Sequence, residues 1–370
     1  MAISKLSTYH TIKRYFYSTP FWYVYPQWHT VSFTIVAKHH VAELKKYFRL
    51  YEIDELAFFG RDIYSKPVII MHPYFFIANK KPQEIFNMKY KVKALIGIDV
   101  ADTDKLGRIG VQLANLIDLI IVPSNFCKQV FQQSGVKTKI EVVPHGLSKL
   151  FFEGKRIPKD PYLKELYNLK QKKEYIYVLF FLIHSGERKG VDDVYEVMER
   201  IVSKYKNVKL IMKIGVMSKY HKEKVENLGG FIFSKYLPED ELVALYDMCD
   251  IYLGFSRGGG FEIPFLEALS RGVIVLTGSK GSWTDFIPEF LQIKKVHRVK
   301  FWKHTNPLHD IHCGYGYAVD IDEAVEKLED VLNNLNEYKQ KVKEYWEKIK
   351  HNYSWESIGL KLKSILEKYT

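Results

Sequence analysis

The sequence predicts an α/β chain of two doubly wound domains facing a central cleft, and three observations carry that prediction. From residue 21 onwards, short continuous apolar runs alternate with helix-length amphipathic segments, the pattern of parallel strands buried on both faces. The alternation breaks off at one polar, lysine-rich stretch twice interrupted by proline, "FFEGKRIPKDPYLKELYNLKQKKEY" (151–175), and then restarts. A chain of 370 residues is also longer than one hydrophobic core usually serves.

In the first half, "FWYVYP" (21–26) begins the apolar series and "VSFTIVAKHHVAELKKYF" (31–48) has helical spacing. Strands are expected at "ELAFFG" (55–60), "KPVIIMHP" (66–73), "KVKALIGIDV" (91–100) and "DLIIVPS" (118–124). Ser124 can cap the helix "NFCKQVFQQSG", Gly135 can end it, and "KIEVVPHG" (139–146) closes the half. After the linker, strands are expected at 175–183, 208–215, 230–237, 251–256 and 273–277, with helices between them, including one from Val191 and one from Ile263. The remainder is helical in pattern and breaks near Asn352–Ser354, where Ser354 opens a fresh helix carrying Ile358, Leu362 and Ile365. The expected division is 1–155, a linker at 156–174, 175–353, and a final helix at 354–370.

Composition narrows the function classes. The chain is 47% hydrophobic and 26% charged, as globular proteins are. No apolar run reaches the roughly 18–20 residues of a membrane span, and "MAISKLSTYHTIKRYF" lacks the apolar core of a signal peptide, so the expected location is cytoplasmic. Cys127, Cys249 and Cys313 are widely spaced without a CxxC or Cys/His cluster, and read as small buried hydrophobes. Residues 1–150 hold 20 Lys and Arg against 11 Asp and Glu, whereas residues 151–370 hold 35 against 32. So basic a first half suits an anionic partner, a phosphorylated lipid head group, a membrane surface or nucleic acid, although a merely lysine-rich surface would look the same. Zinc-finger, RNP-type and helix-turn-helix signatures are absent there, which argues against nucleic acid.

Tandem doubly wound sheets present the carboxyl ends of their strands to a shared crevice, where such folds bind ligands. The segments "PHGL" (144–147), "IHSGERKG" (183–190), "MKIG" (212–215) and "SRGGGFEIP" (256–264) all follow strands directly. Gly258, Gly259 and Gly260 would let backbone N–H groups approach an anion at a helix start, or would simply form a flexible turn. Glu267 can turn back from the helix to accept paired hydrogen bonds from a vicinal diol, or can be a solvated helix residue. Arg188 and Lys189 suit a diphosphate clamp or a charged surface. Lys213, on an otherwise apolar strand, suits a phosphate-side role or a snorkelling core-edge lysine.

"VPSNFCKQVFQQSGVKTKIEVVPHGL", "ERKGVDDVYEVMERI" and "SRGGGFEIPFLEALSRGVIVLTG", in that order and spacing, resemble the nucleotide-sugar-dependent retaining glycosyltransferases of family 4, which have the GT-B fold, two Rossmann-like domains around a cleft. The resemblance covers residues 95–285, and "YSWESIGLKLKSIL" resembles the closing tryptophan-containing helix that returns to the N-terminal domain in that family. Gly260, Phe261, Pro264 and Glu267 match its glycine, phenylalanine, proline and second glutamate. This implies that Glu267 holds the ribose, that the 258–262 loop faces diphosphate and donor sugar, that Lys189 contacts the diphosphate, and that His145 and Gly146 line the cleft. The departures are specific. Gly259 stands where the first glutamate is usual, with Glu262 available as a substitute carboxylate. The family arginine falls on Ile183 or His184, so Arg188 is expected to take over its charge, and His184 stays among the donor-side candidates. The glycine-rich turn after the first strand is replaced by "YPQWHTVS". In "GIDVADTDKLG" (97–107), Asp99 and Asp102 align near the donor sugar, or cap the helix that follows.

The resemblance implies hexose transfer from a UDP- or GDP-sugar with retention, with Arg188, Lys189 and loop amides stabilising the leaving diphosphate without metal. The acceptor, lipid-linked, glycan or protein, is not named by these residues, and the basic first half suits a peripheral contact with an anionic membrane. A catalytically silent sugar-nucleotide-binding protein and a GT-B-fold sugar-nucleotide epimerase are the competing readings.

Overall fold

The computed structural model describes residues 18–29, 31–183, 185–300 and 310–370. Thr30, His184 and the chain start, where no signal peptide is expected, lie outside them.

Two six-stranded sheets organise the chain. The first contains β1 (Phe21–Tyr25), β2 (Leu50–Asp54), β3 (Val68–Met71), β4 (Ala94–Ile98), β5 (Leu119–Val122) and β6 (Lys139–Val142), in the order β2-β1-β3-β4-β5-β6. The second contains β7 (Ile176–Leu182), β8 (Val208–Ile214), β9 (Phe231–Phe233), β10 (Ile251–Gly254), β11 (Ile274–Gly278) and β12 (Gln292–Ile293), in the order β12-β11-β10-β7-β8-β9. Every pairing within the two sheets is parallel. Central strands such as "VIIM" in β3, "ALIGI" in β4 and "IYLG" in β10 are buried at every residue, because helices cover both faces. The strand order reverses between β7 and β10, so the loops leaving these two strands open onto the crevice at the switch point, the usual ligand position of doubly wound sheets.

Most expected elements form, and two differ. "ELAFFG" is not a strand: Asp54 ends β2, and its side chain accepts the N–H of Leu56 to start a short helix, Glu55–Phe58. The stretch expected as the linker contains a helix. Asp160 caps the helix Pro161–Lys173, which buries Leu163 and Leu166 in the core of the second half. Its proline sits in the first turn, where a missing N–H costs nothing.

The last helix, Trp355–Leu366, returns to the first sheet. Ser354 caps it by accepting the Ser357 N–H, and Ile358, Leu362, Ile365 and Leu366 enter the same core cluster as Phe21 and Tyr23. Trp355 stacks on His39 with ring centroids 4.4 Å apart. The approach is close enough that a Cβ on Gly146 would stand 2.9 Å from the Trp355 ring. A hairpin absent from the sequence expectations, β13 (Val296–Val299) with β14 (Gly316–Val319), leaves the second half and crosses to the first. Beyond its strands, the Gly107 N–H donates to the Ile311 carbonyl at 2.8 Å and the Asp104 N–H to the Tyr315 carbonyl at 2.9 Å. Asp104 also holds Arg298 at 2.8 Å and the Tyr315 N–H at 2.8 Å.

Candidate active site

Glycine spacing and one strained residue shape the site. After β10, the chain runs through Ser256 and Gly258–Gly260 to Glu262, which adopts φ 64° and ψ 67°, a left-handed conformation costing a glutamate on the order of 1 kcal/mol. That backbone turns the carboxylate inward. Lys189 Nζ donates to its two oxygens at 2.7 and 2.6 Å, and the Ser256 hydroxyl donates to Oε1 at 2.9 Å. Arg188 Nη1 lies 3.8 Å from the same oxygen. Burial opposes ionisation of Glu262, but Lys189, Arg188 and the two hydrogen-bond donors outweigh it and hold the carboxyl below the usual glutamate range. A Cβ on residue 259 would lie 2.4 Å from Glu262 Oε1, so the carboxylate of residue 262 fills the space a side chain at 259 would use.

Arg188 and Lys189 leave β7 in a single 3₁₀ turn, Gly186–Lys189, ahead of the helix Val191–Lys204. Gly190 is obligatory there: its φ is 69°, and a Cβ would come within 2.2 Å of the Phe255 carbonyl. Arg188 is buried and donates from Nη1 to the Gly258 carbonyl at 2.8 Å, so it braces the glycine loop as well as supplying charge.

The first half completes the site. Asp102, after β4, brings Oδ1 to 3.7 Å from Arg188 Nη1. His145, after β6, is buried against Phe261 with ring centroids 4.9 Å apart, and its Nδ1 has no hydrogen-bond partner. Burial pushes this imidazole down to about 3, so it is neutral. Gly260 touches the other half directly: its carbonyl accepts from Ser124 Oγ at 3.3 Å, and a Cβ would lie 2.4 Å from Val100. Between the halves lies a cavity of about 470 Å³, lined by Arg188, Lys189, Ser256 and Glu262 on one side and Asp102 and His145 on the other.

Glu267, Lys213 and Gly258 do not line that cavity. Glu267 lies in the helix Ile263–Ser270 that follows Glu262 and accepts the Tyr246 hydroxyl at 2.7 Å. Burial pushes its carboxyl up to about 7, against the pull of that hydrogen bond and of Lys213. Lys213 lies 5.8 Å from the Phe181 ring centroid, and its charge faces Glu267. Asp99 caps no following helix: its carboxylate accepts the Phe75 N–H at 2.6 Å and the Val100 N–H at 2.7 Å, and burial pushes it up to about 7. Asp102 is no cap either, since the next helix, Arg108–Ala114, is preceded by Gly107. His184 lies outside the described residues. The sequence expectations missed Ser256, Tyr246 and the hairpin residue His312, whose Nδ1 accepts the Asp102 N–H at 3.3 Å. Serine after an apolar strand was a usable signal; the other two depend on tertiary approach alone.

Residues 166–292 match the family described as glycosyl transferases group 1. A protein of Sulfolobus islandicus rod-shaped virus 1, "Uncharacterized protein 356", is 30% identical over 355 residues, 94% of this chain and 98% of that protein. A protein of Sulfolobus islandicus filamentous virus, named "Putative glycosyltransferase 45", is 31% identical over 257 residues, 66% of each. That family match covers about one third of the chain. Its fold is GT-B: the sucrose-phosphate synthase structure from Thermosynechococcus elongatus superposes with a TM-score of 0.69 at 12% identity, over 95% of this chain and 99% of that one. The E. coli trehalose-6-phosphate structure bound with UDP-2-fluoro glucose gives 0.64 at 11% identity over the same shares, 95% and 99%. The pneumococcal O-GlcNAc transferase, in complex with UDP and GlcNAc, gives 0.56 at 15% identity, over 82% of this chain and 57% of that one.

Proposed function

We propose that the protein transfers a hexose from a nucleoside-diphosphate sugar, UDP- or GDP-linked, to an acceptor hydroxyl with retention at the anomeric carbon. The observation that carries this reading is the convergence of Arg188, Lys189 and Glu262 with Asp102 and His145 on one cavity between the halves. Lys189 and Arg188 meet the diphosphate, whose negative charge grows as the anomeric C–O bond to phosphate breaks. The new C–O bond forms on the same face, and the acceptor proton passes to the departing phosphate oxygen. Two side-chain cations supply the charge stabilisation, so the reaction proceeds without a divalent ion.

Glu262 takes the hexose-hydroxyl contact that residue 259, a glycine, cannot make; its carboxylate already fills the space beside Gly259. His145 Nδ1, buried and unpartnered, faces the same sugar. Glu267, oriented by Tyr246, accepts from the ribose diol behind the main cavity. The basic first half adds a salt-sensitive contact with anionic membrane. The test is a panel of UDP-, GDP- and ADP-sugars followed by nucleoside diphosphate release, with and without EDTA. Release unaffected by EDTA supports the reading; binding and release from none of them sinks it.

A further inference from the structure

A second cavity, about 650 Å³, opens beside the first, and Val31, Phe33, Val100 and Asp102 line both. Its outer wall is aromatic, with Trp28, Phe75 and Phe76, while Asn79, Asp99 and Asp102 converge from within. We propose that this cavity receives the acceptor, and that the acceptor is an uncharged carbohydrate whose ring lies against Trp28 while one hydroxyl reaches Asp102. The proposal rests on the transferase reading above and names the substrate class that reading leaves open.

Three observations support it. Trp28 is 57% exposed yet fixed: its indole N–H donates to both carboxylate oxygens of buried Glu55 at 3.1 Å. An exposed indole pinned by a buried carboxylate is a preorganised platform, and the C–H face of a sugar ring is the apolar surface that suits it. The charges favour a neutral ligand. Lys80, at the same wall, is committed to Glu55 at 3.2 Å and lies 4.2 Å from the Phe76 centroid, while the Asp102 carboxylate would repel a phosphate. Hydroxyl groups, by contrast, find acceptors in Asp102 and the Asn79 amide.

Location supplies the third observation. Asp102 stands in both cavities, so a hydroxyl held there reaches the donor side without leaving the acceptor side. Ile311 and His312, carried over from the second half, form part of the wall, and His312 accepts the Asp102 N–H at 3.3 Å. The acceptor cavity is therefore complete only when the two halves are together.

The experiment is transfer of radiolabelled hexose from UDP-glucose and GDP-mannose to a panel of p-nitrophenyl glycosides, with glucose 6-phosphate as the charged counterpart and vesicles containing a lipid phosphate as the lipid counterpart. The expected result is transfer to at least one neutral glycoside and none to glucose 6-phosphate. Trp28→Ala should raise the glycoside KM at least tenfold and the nucleotide-sugar KM less than twofold, and Trp28→Phe should recover most of the loss. Preference for glucose 6-phosphate or the vesicles, no transfer to any neutral glycoside while the nucleotide sugar binds, or an unchanged glycoside KM in Trp28→Ala overturns the proposal. Absence of nucleotide-sugar binding by the unaltered protein is a separate failure, and overturns the transferase reading beneath it.

Discussion

Replacing Glu262 with alanine separates its structural role from its chemical one. Its side chain is 4% exposed and compensates Lys189, itself 16% exposed, so removal leaves a buried ammonium without its partner. Breaking a buried pair from one side typically costs about 3–5 kcal/mol. Arg188 keeps the Gly258 carbonyl and Asp102, which favours the lower half of that range. At roughly 2–4 °C per kcal/mol for a domain of this size, the melting temperature should fall by about 6–16 °C. A diphosphate would then replace the lost negative charge, so UDP should stabilise Glu262→Ala more than it stabilises the parent. Turnover should fall about 10²–10³-fold, because the hexose contact is gone. Thermal melts with and without UDP, together with nucleotide-release rates, read all three quantities. An unchanged melting temperature, or equal stabilisation by UDP in both proteins, would refute the assignment of Glu262 as counter-ion of the diphosphate clamp.

Other perturbations address separate parts of the site. Glu267 ionises in the free protein near pH 7 and must be charged to accept fully from a diol, so nucleotide-sugar affinity should be full above about pH 8 and weaken by up to tenfold per unit below pH 7; isothermal titration across pH should show this, and Glu267→Gln should abolish the dependence. Gly260→Ala drives a Cβ to 2.4 Å from Val100, so kcat should fall at least tenfold with nucleotide affinity nearly unchanged; an unaltered kcat would mean that this cross-cleft contact is not needed for turnover. Asp104→Ala releases Arg298 and the Tyr315 N–H from the crossing hairpin, and steady-state kinetics should show a higher acceptor KM with the donor KM preserved. Flotation with anionic liposomes should recover the protein at low salt and lose it at high salt if the basic first half contacts membrane.

Much of the fold could be read from local pattern, because buried parallel strands such as "VIIM" and "IYLG" are apolar throughout and the helices Asn125–Gln133 and Trp355–Leu366 carry caps at Ser124 and Ser354. "ELAFFG" misled for a local reason: Asp54 can start a helix, and an apolar run of four to six residues fits strand or helix equally. Lysines and prolines made 151–175 look like a linker, yet Leu163 and Leu166 fall one turn apart on a buried face. In the site, the charged residues and glycines were legible from their positions after strands. Their partners were not: Glu262 reaches the space beside Gly259 only through a left-handed backbone, and Tyr246 meets Glu267 from a different helix. The hairpin that brings His312 to Asp102 pairs residues 210 positions apart, and no periodicity encodes that.

On the proposed function, the cleft between the sheets holds a nucleotide sugar through Arg188, Lys189, Glu262 and Glu267. The most direct measurement is calorimetric titration of the parent, Lys189→Ala and Glu267→Ala proteins with the nucleotide sugar that supports diphosphate release. Binding by the parent, weakened at least tenfold in each variant while both remain folded, is the predicted result. Equal affinity in all three proteins, or no binding by the parent to any UDP-, GDP- or ADP-sugar, would contradict it.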